Sequence, residues 1–441
     1  MSLKRWFISL TTLFASSFWS LVLFASPPFD VPPGLEVAHA AQAKHGNALL
    51  QNAGVVGHGL SVDEAGNGVV VIFTDSPLVK GIPKWLDGVA VKQVYTGQFH
   101  AFAPPTCGGP PSQRPPECFT DPEPEPSVDP TARFDRPVPI GISSGHPLIT
   151  AGTIGARVTD GINVYALSNN HVFSNSNDAF IGDNIIQPGS YDGGSESSDT
   201  FATLHAFVPI LFDGSDNVMD AAIAISDESS LTTSTPEDGY GTPSSTVVAA
   251  SPGQAVMKYG RTTGFTQGSV DSINATVNVC YEGSSSCTKL ARFIGQVIIT
   301  PGTFSAGGDS GSLIVTSSGN NPVGLLFAGS SSYTIASPID LVLTEFGVTI
   351  DSNTPPPPPP SGDITLSVNG YKVKGYHHVS LDWGGAASVD IYRDDMQAPV
   401  YQDQTDDPFV DSLNAKGGGS YQYMVCETAT NNCSPQQTVN F

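Results

Sequence analysis

The sequence predicts a mainly β protein built from several folded parts. Glycine and proline are abundant, with 46 and 36 residues in a chain of 441, and this composition favours short strands joined by turns. Short apolar runs alternate with Gly, Asn and Ser turns through the middle of the chain. Two proline-rich segments interrupt a chain that is too long for one ordinary domain. We therefore expect three folded parts separated by linkers.

The first forty residues have the features of an export signal. Lys4 and Arg5 precede an apolar stretch that runs from about Trp6 to Ala25, which is the charge-then-apolar order of a signal peptide. Residues 1–40 are therefore predicted to be a signal peptide, cleaved near residue 26 or near residue 40. An uncleaved membrane anchor is the alternative. After removal of the signal we expect no membrane association.

A small α+β domain is predicted for residues 41–103. The stretch "AAQAKHGNALLQN" at 40–52 has helical character, and the apolar runs at 68–73 and 88–95 have the character of strands. Because this part follows an export signal, we interpret it as a candidate pro-region that assists folding or blocks a site. A permanent N-terminal domain is the alternative.

Two linkers separate the remaining parts. Residues 104–130 form a Pro-rich linker, and residues 352–362 form a polyproline linker that is expected to be stiff and extended. They enclose a central domain at 131–351, which consists of short apolar strands and turns. A last domain follows at 363–441.

The last domain, at 363–441, reads as a β-sandwich. Polar and apolar residues alternate in "VSLDW" at 379–383 and in "YQYMV" at 421–425, as in half-buried strands. Trp383 and Tyr423 are expected in the core. By its size and these aromatic positions, the segment resembles a fibronectin type III-like module.

The six cysteines predict three local disulfides. They occur in close pairs without the C-x-x-C spacing of a zinc site, which favours an oxidising compartment. We therefore expect a secreted protein, either extracellular or periplasmic, with no metal and no cofactor. The predicted pairs are Cys107 with Cys118, Cys280 with Cys287, and Cys426 with Cys433.

The charge balance excludes some classes of partner. The formal net charge is -23, from 18 basic and 41 acidic residues, and it repels nucleic-acid phosphates and anionic lipids. We expect no nucleic-acid binding.

Three side chains in the central domain could form a catalytic set. The turn "GGDSGS" at 307–312 presents Ser310 among small residues, and a serine nucleophile needs a base and an acid that orients the base. His171 follows an apolar strand in "ALSNNHV". Asp220 precedes an apolar strand in "MDAAIAI", where a buried charge needs a partner. Asp213 and Asp216 are weaker candidates for the acid because their surroundings are polar.

These three segments, in this order, resemble the chymotrypsin-like serine peptidases, and the hairpin "KYGRTTGFTQGSV" at 258–270 is similar to that of bacterial secreted members. The resemblance covers the central domain and implies two six-stranded antiparallel β-barrels. It implies that His171 is general base and acid, that Asp220 orients it, and that Ser310 is the nucleophile. The backbone N–H groups of Gly308 and Ser310 would form the oxyanion hole.

The same resemblance implies where substrate binds. The segment "PVGLLFAGSSS" is similar to the strand that pairs with substrate backbone, which assigns this role to Phe327, Ala328 and Gly329. Phe327 and Ala328 replace a usual serine and tryptophan. Phe304 stands at the position that sets primary specificity, so a small or apolar substrate side chain is expected rather than Lys or Arg.

The predicted function is a secreted serine endopeptidase that forms an acyl-enzyme, with a protein or peptide substrate as its partner and a monomeric state. A catalytically silent binding protein and an esterase-type acyl hydrolase are the alternatives.

Two further expectations concern charged residues of the central domain. The segment "YDGGSESSDT" at 191–200 lacks the calcium-loop pattern and is expected to be an exposed acidic loop. Arg261 is expected to support the hairpin at 258–270 rather than to contact substrate.

Overall fold

The computed structural model of the protein describes residues 31–101, 128–283, 287–352, 364–386, 388–394, 399–405, 408–428 and 433–441. Signal cleavage near residue 26 and the disulfide between Cys107 and Cys118 were predicted outside these described residues. Among the described residues, no helix is long and apolar enough to cross a membrane. The chain divides into two compact units, Met1–Ser352 and Asn353–Phe441.

The N-terminal part contains one helix and five strands. They are α1 (Glu36–Leu49), β1 (Val55–Val62), β2 (Gly68–Thr74), β3 (Trp85–Leu86), β4 (Val89–Tyr95) and β5 (Phe99–Ala101). The helix begins at Glu36 rather than at residue 40 because Ala38 packs into the core beside Gly68, where an added Cβ would approach the Ala38 side chain to 3.1 Å. The alternative signal cleavage site near residue 40 therefore lies inside α1.

The central part begins with short strands and two short helices. They are β6 (Ser143–Ser144), β7 (Gly152–Thr153), β8 (Ala156–Thr159), β9 (Val164–Ser168), α2 (Asn170–Phe173), β10 (Asn184–Ile186), α3 (Glu196–Asp199), β11 (Thr200–Phe207), β12 (Asp216–Asn217) and β13 (Ala222–Ser226). Consecutive residues of β9 and β13 are buried because successive side chains point to opposite faces of the sheet, and both faces carry an apolar core.

Seven strands and one helix follow in the second half of the central part, and β15 and β16 are the longest. They are β14 (Ala255–Gly260), β15 (Gly264–Glu282), β16 (Lys289–Thr300), β17 (Leu313–Thr316), β18 (Pro322–Gly329), β19 (Thr334–Pro338), α4 (Ile339–Phe346) and β20 (Thr349–Ile350). Three short 3-10 helices lie at Asn175–Asn177, Ser190–Asp192 and Gly302–Phe304.

Two large sheets organise the first unit, and the prediction of a mainly β protein is confirmed. One sheet has six strands in the order β10-β11-β13-β9-β8-β20. The other has twelve strands, with the path β12-β16-β19-β18-β17-β14-β15-β1-β2-β4-β3 and with β5 paired to β15 and β18. The arrangement as two six-stranded barrels stays a prediction.

The strands of residues 31–101, β1 to β5, belong to the larger sheet, and the small α+β domain at 41–103 stays a prediction. Strand β1 pairs antiparallel with β15, with Gly57 opposite Val277, and β2 and β4 extend the sheet from there. The physical reason is that the long β15 strand exposes an edge, and β1 satisfies the backbone hydrogen bonds of that edge.

The second unit contains two small sheets around one apolar core. Its strands are β21 (Thr365–Val373), β22 (Tyr376–Gly384), β23 (Val389–Arg393), β24 (Tyr401–Gln404), β25 (Phe409–Lys416), β26 (Ser420–Glu427) and β27 (Gln437–Asn440). The sheet orders are β21-β22-β25 and β24-β23-β26-β27, and Trp383 and Tyr423 lie in the shared core. The predicted disulfide between Cys426 and Cys433 is confirmed. The likeness to fibronectin type III stays a prediction.

Candidate active site

Strand pairing brings His171 and Asp220 together. Strands β9 and β13 are antiparallel, with Ser168 opposite Ala222. His171 lies just after the end of β9, and Asp220 lies just before the start of β13, so both side chains emerge at the same end of this strand pair. The Asn169 side-chain amide strengthens the junction by donating to the Asp220 carbonyl oxygen at 2.7 Å.

The Asp220 carboxylate is fully buried and accepts three hydrogen bonds. Oδ2 accepts from His171 Nδ1 at 2.6 Å and from the Tyr281 hydroxyl at 2.7 Å, and Oδ1 accepts from the His171 backbone N–H at 3.2 Å. These bonds offset the cost of removing a charge from water. Burial, and then the Asp220 charge, hold the pKa of Tyr281 well above its ordinary value, so its hydroxyl remains a donor.

The same contacts define the state of the His171 ring. Because an ionised carboxylate can only accept hydrogen bonds, the Asp220 contact places a proton on Nδ1, and in the neutral ring the lone pair is then on Nε2. Nε2 is buried and has no hydrogen-bond partner among the described residues. The ring is therefore oriented at one nitrogen and open to accept a proton at the other.

The turn that carries Ser310 is held by the buried Asp309 side chain. Asp309 Oδ1 accepts from the backbone N–H groups of Thr262 at 2.8 Å and Thr263 at 3.2 Å. Asp309 Oδ2 accepts from the Thr263 hydroxyl at 2.7 Å and from the Ala306 N–H at 2.9 Å. The Ser310 turn is thereby fixed to the turn that joins β14 and β15.

Glycine is required at position 308 of this turn. Gly308 has a φ of +99°, and an added Cβ would lie 2.4 Å from the Thr262 hydroxyl oxygen. Both the backbone conformation and the contact exclude a side chain. The backbone N–H groups of Gly308 and Ser310 donate no hydrogen bond to another described residue. They are therefore donors available for an anionic oxygen.

Two buried ion pairs lie beneath the turn. Lys258 Nζ is 3.4 Å from Asp309 Oδ2, and both side chains are fully buried. Burial lowers the pKa of Lys258, and the Asp309 charge opposes this change. Arg261 pairs with Asp192 through both Nε and Nη2, and both of these side chains are also fully buried. Arg261 thus has a supporting position, as the sequence predicted.

The expectation of an exposed acidic loop at 191–200 is wrong for two of its carboxylates. Asp192 is buried against Arg261 and also accepts from the Ser143 hydroxyl at 2.5 Å. Asp199 is 3% exposed and forms a bidentate pair with Arg133. Arginines that are distant in sequence pair with both carboxylates, which removes them from solvent.

Strand β7 contacts both the Ser310 turn and Val172, the residue that follows His171. The Thr153 N–H donates to the Ser310 carbonyl oxygen at 2.8 Å. A Cβ added to Gly152 would lie 2.5 Å from the Val172 side chain and 3.1 Å from the Ser310 carbonyl oxygen. However, Ser310 Oγ donates to the Phe327 carbonyl oxygen at 3.4 Å rather than to His171. The described structure contains the His171–Asp220 contact and no Ser310–His171 hydrogen bond.

Strand β5 occupies the edge of the strand that was predicted to bind substrate. It pairs antiparallel with β18, with Ala101 opposite Ala328 and His100 opposite Gly329. On its other side it pairs in parallel with β15, with His100 opposite Cys280. Ser310 is 0% exposed, and the side chain of His171 is 12% exposed. The site is therefore enclosed in this form of the chain.

The other predicted substrate residues are buried. Phe304 is fully buried in the core of the twelve-stranded sheet, where it lies beside Gly268. Phe327 and Ala328 are also fully buried, and the Phe327 ring packs against Phe293 with ring centroids 4.6 Å apart. The assignment of Phe304, Phe327, Ala328 and Gly329 to substrate binding stays a prediction. Among them, Ala328 and Gly329 pair with β5 through their backbone.

The weaker candidates for the acid have other partners. The Asp213 side chain accepts from the Ser215 N–H at 3.0 Å, and Asp216 pairs with Arg292 at 2.5 Å. The contacts of His171 therefore distinguish Asp220 from its two neighbours in sequence.

Sequence reasoning missed Tyr281 and Lys258. Tyr281 follows Cys280, whose disulfide with Cys287 is confirmed, but no pattern in the chain pointed to its contact with Asp220. Lys258 is the first residue of the hairpin segment "KYGRTTGFTQGSV", so the signal for a cation beside Asp309 was present in the sequence. Both contacts depend on strand pairing that the local sequence does not reveal.

The comparisons with known proteins found partial structural likenesses. No family model and no curated protein matches the chain. A solved glutamic-acid-specific serine protease, described as using a histidine triad in substrate binding, is 23% identical, with 48% of this chain and 100% of that chain covered and a TM-score of 0.36. Thermobifida fusca protease A is 19% identical, with 49% and 100% covered and a TM-score of 0.34. Cellulomonas bogoriensis chymotrypsin is 19% identical, with 50% and 100% covered and a TM-score of 0.34. At these identities and TM-scores the likeness carries no conclusion about the activity of this chain.

Proposed function

We propose that the chain is a serine endopeptidase in which His171, Asp220 and Ser310 form the catalytic triad. The observation that carries this proposal is the state of His171. Its Nδ1 is bound to a fully buried carboxylate, and its Nε2 has no partner among the described residues. Such a ring can accept a proton at Nε2 while Asp220 stabilises the resulting charge.

The proposed mechanism has two halves. In the first, His171 Nε2 takes the proton from Ser310 as Oγ attacks the substrate carbonyl carbon, and the imidazolium then protonates the leaving amine. In the second, His171 activates a water that attacks the acyl-enzyme, and the proton returns to Ser310. This sequence requires the Ser310 hydroxyl to turn from the Phe327 carbonyl oxygen to His171 Nε2.

The anionic oxygen of each tetrahedral intermediate would bind at the turn. The N–H groups of Gly308 and Ser310 are unpaired within the described residues, and Gly308 has no side chain to obstruct them. Donors that are already oriented toward the developing charge need no rearrangement during the reaction. The contacts of Asp309 support this role because they fix the turn.

We also propose that residues 41–103 act as an inhibitory pro-region. Strand β5 pairs with Ala328 and Gly329, the backbone positions assigned to substrate binding. An extended peptide in this place occupies the hydrogen-bonding edge that a substrate would need. Ser310 and Asp220 are fully buried in the same form of the chain. Activity would then require release of β5, for example after a cut in the linker at 104–130.

The remaining parts of the proposal concern substrate and location. We propose peptide substrates with a small or apolar residue before the cleaved bond, because Phe304 supplies no charge to pair with Lys or Arg. We propose a secreted protein, extracellular or periplasmic. The disulfides Cys280–Cys287 and Cys426–Cys433 support this location because such bonds persist in oxidising compartments.

The test is covalent labelling of Ser310 by a fluorophosphonate, followed by intact mass. The protein is the full chain with the site of a specific protease inserted within residues 104–130, before and after cleavage. We expect one adduct after cleavage, slower labelling before it, and no adduct on the Ser310→Ala variant. Absence of an adduct from the cleaved wild type would contradict the proposed peptidase.

Hydrolysis of matched substrates distinguishes the related activities. Peptide amides and the corresponding esters, each with Ala, Leu or Lys before the cleaved bond, are compared with the same cleaved protein. Hydrolysis of the amides with Ala or Leu would support the endopeptidase. Hydrolysis of esters alone would favour the acyl hydrolase, and hydrolysis of neither with no adduct would favour the binding protein.

A further inference from the structure

The buried Asp220 carboxylate accepts a hydrogen bond from a side chain outside the predicted triad. We propose that Tyr281 is a positioning residue for this triad, and that its hydroxyl holds the Asp220 carboxylate in the orientation that His171 requires. The inference rests on the proposed function, because it assigns a role within the same catalytic set. It is carried by the 2.7 Å contact between the Tyr281 hydroxyl and Asp220 Oδ2.

The hydrogen bonds of Asp220 show why this donor matters. His171 supplies two of the three donors, one from its ring and one from its backbone N–H. The Tyr281 hydroxyl is the third, and it binds the same oxygen as the His171 ring. A fully buried carboxylate that loses a donor is left with unsatisfied acceptor capacity, and it can rotate to find another partner.

Strand β18 (Pro322–Gly329) contains no side-chain donor that could replace this hydroxyl. Phe327 stands where the chymotrypsin-like pattern has a serine, and its side chain has no hydrogen-bond donor. Its ring packs against Phe293, which stacks on Tyr281 with ring centroids 6.2 Å apart. The position of the phenol is therefore linked by ring contacts to the strand that carries Phe327.

The Tyr281 ring is held on several sides. Its edge-to-face contact with Phe212 has a centroid separation of 5.3 Å, and its contact with the His171 ring has one of 6.0 Å. The disulfide between Cys280 and Cys287 closes the chain directly beside it. A ring fixed in this way delivers its hydroxyl to Asp220 at little entropic cost.

The chemical consequence concerns the charge on the catalytic pair. A hydroxyl that donates to Oδ2 stabilises the ionised carboxylate and disperses its charge. His171 then keeps its Nδ1 proton in the shared contact, and the carboxylate stabilises the imidazolium without taking that proton. Asp220 and His171 are the titratable groups in direct contact with Tyr281 among the described residues.

The test replaces the hydroxyl and keeps the ring. The cleaved protein with Tyr281→Phe should show kcat lowered by roughly 10- to 100-fold with KM nearly unchanged, because the lost bond is to a charged acceptor. The acid limb of its pH profile of kcat/KM should move to higher pH, because the less dispersed carboxylate charge favours the imidazolium. The matched control is Tyr165→Phe, which removes a hydroxyl that donates to Asp160 at 2.9 Å in the same unit. It should leave kcat and the profile unchanged.

A second measurement keeps this inference separate from the proposed activity. In the uncleaved full chain, the proton on His171 Nδ1 should give a low-field NMR resonance, and Tyr281→Phe should change its chemical shift while Tyr165→Phe does not. An unchanged resonance in Tyr281→Phe would overturn the inference, whether or not the wild type is active. Unchanged kcat and pH profile in an active wild-type background would also overturn it. A wild type that neither labels nor hydrolyses peptides would contradict the peptidase alone.

Discussion

The proposed blocking of the site by β5 can be tested by removing one side chain. Phe99 is fully buried, and its ring meets Phe73 edge to face with centroids 6.0 Å apart in the core of the twelve-stranded sheet. The change Phe99→Ala removes this anchor and leaves the backbone pairing of β5 in place. The expected result is faster labelling of Ser310 in the uncleaved full chain.

The size of the effect follows from the burial of Phe99. Truncation of a fully buried Phe to Ala costs about 3 to 5 kcal/mol. If the Phe99 ring leaves its pocket whenever β5 separates from β18, Phe99→Ala destabilises only the closed form. The population of the form with β5 released then rises accordingly. A cost of about 3 kcal/mol corresponds to an increase of roughly 100-fold, since each 1.4 kcal/mol is a factor of ten. The labelling rate should rise by the same factor until the site is fully open.

The assay is the rate of fluorophosphonate attachment followed by intact mass, with Phe201→Ala as the matched control. Phe201 is 5% exposed in the core of the six-stranded sheet, away from β5. The Phe201→Ala variant should have a lower melting temperature but no matching increase in the rate of Ser310 labelling. An unchanged rate in a destabilised Phe99→Ala protein would refute the role of β5 as a cover. An equal gain in both variants would point to general loosening of the unit.

Three further predictions concern stability, each measured by denaturant melts of the full chain. Burial lowers the pKa of His58 from 6.5 to about 4 in the folded chain, so the unfolded chain binds this proton more tightly. The free energy of unfolding should therefore fall as the pH drops from 6.5 to about 4, by up to ~3 kcal/mol. His58→Gln should lose less stability than the wild type between these pH values. Lys258→Met leaves the Asp309 carboxylate buried without its cation and should cost about 3 to 5 kcal/mol, part of which the added Asp309→Asn should restore. Removal of the disulfide by Cys280→Ser with Cys287→Ser should cost about 2 to 3 kcal/mol.

Each of these predictions has an outcome that contradicts it. A His58→Gln protein with the wild-type pH dependence would mean that other groups cause the acid loss. Failure of Asp309→Asn to restore any stability to Lys258→Met would mean that the two charges are not coupled. If the variant without Cys280 and Cys287 had the free energy of unfolding of the wild type, the rest of the hairpin would fully constrain the loop between these positions.

Much of the local structure could be predicted from the sequence. The segments around β2, β4, β9, β13 and β22 have the apolar character of strands, which depends only on residues that are neighbours in the chain. The close spacing of Cys280 with Cys287 and of Cys426 with Cys433 indicated the disulfides that the structure contains. The positive φ of Gly308 and the close approach of the Thr262 hydroxyl to it, by contrast, depend on how the turn packs against a distant hairpin.

The sequence by itself determined the strands, the local disulfides and the candidate triad, because each rests on residues close in the chain or on short motifs. The tertiary structure alone decided how distant segments meet. Pairing of sheet edges placed β5 over Ala328 and Gly329, and it brought Tyr281 to Asp220, 61 positions away in sequence. The Asp192 side chain, which was expected to be exposed, is buried because Arg261, in the turn between β14 and β15, pairs with it. The free energy of such contacts depends on burial and charge partners, which exist only after the strands have paired.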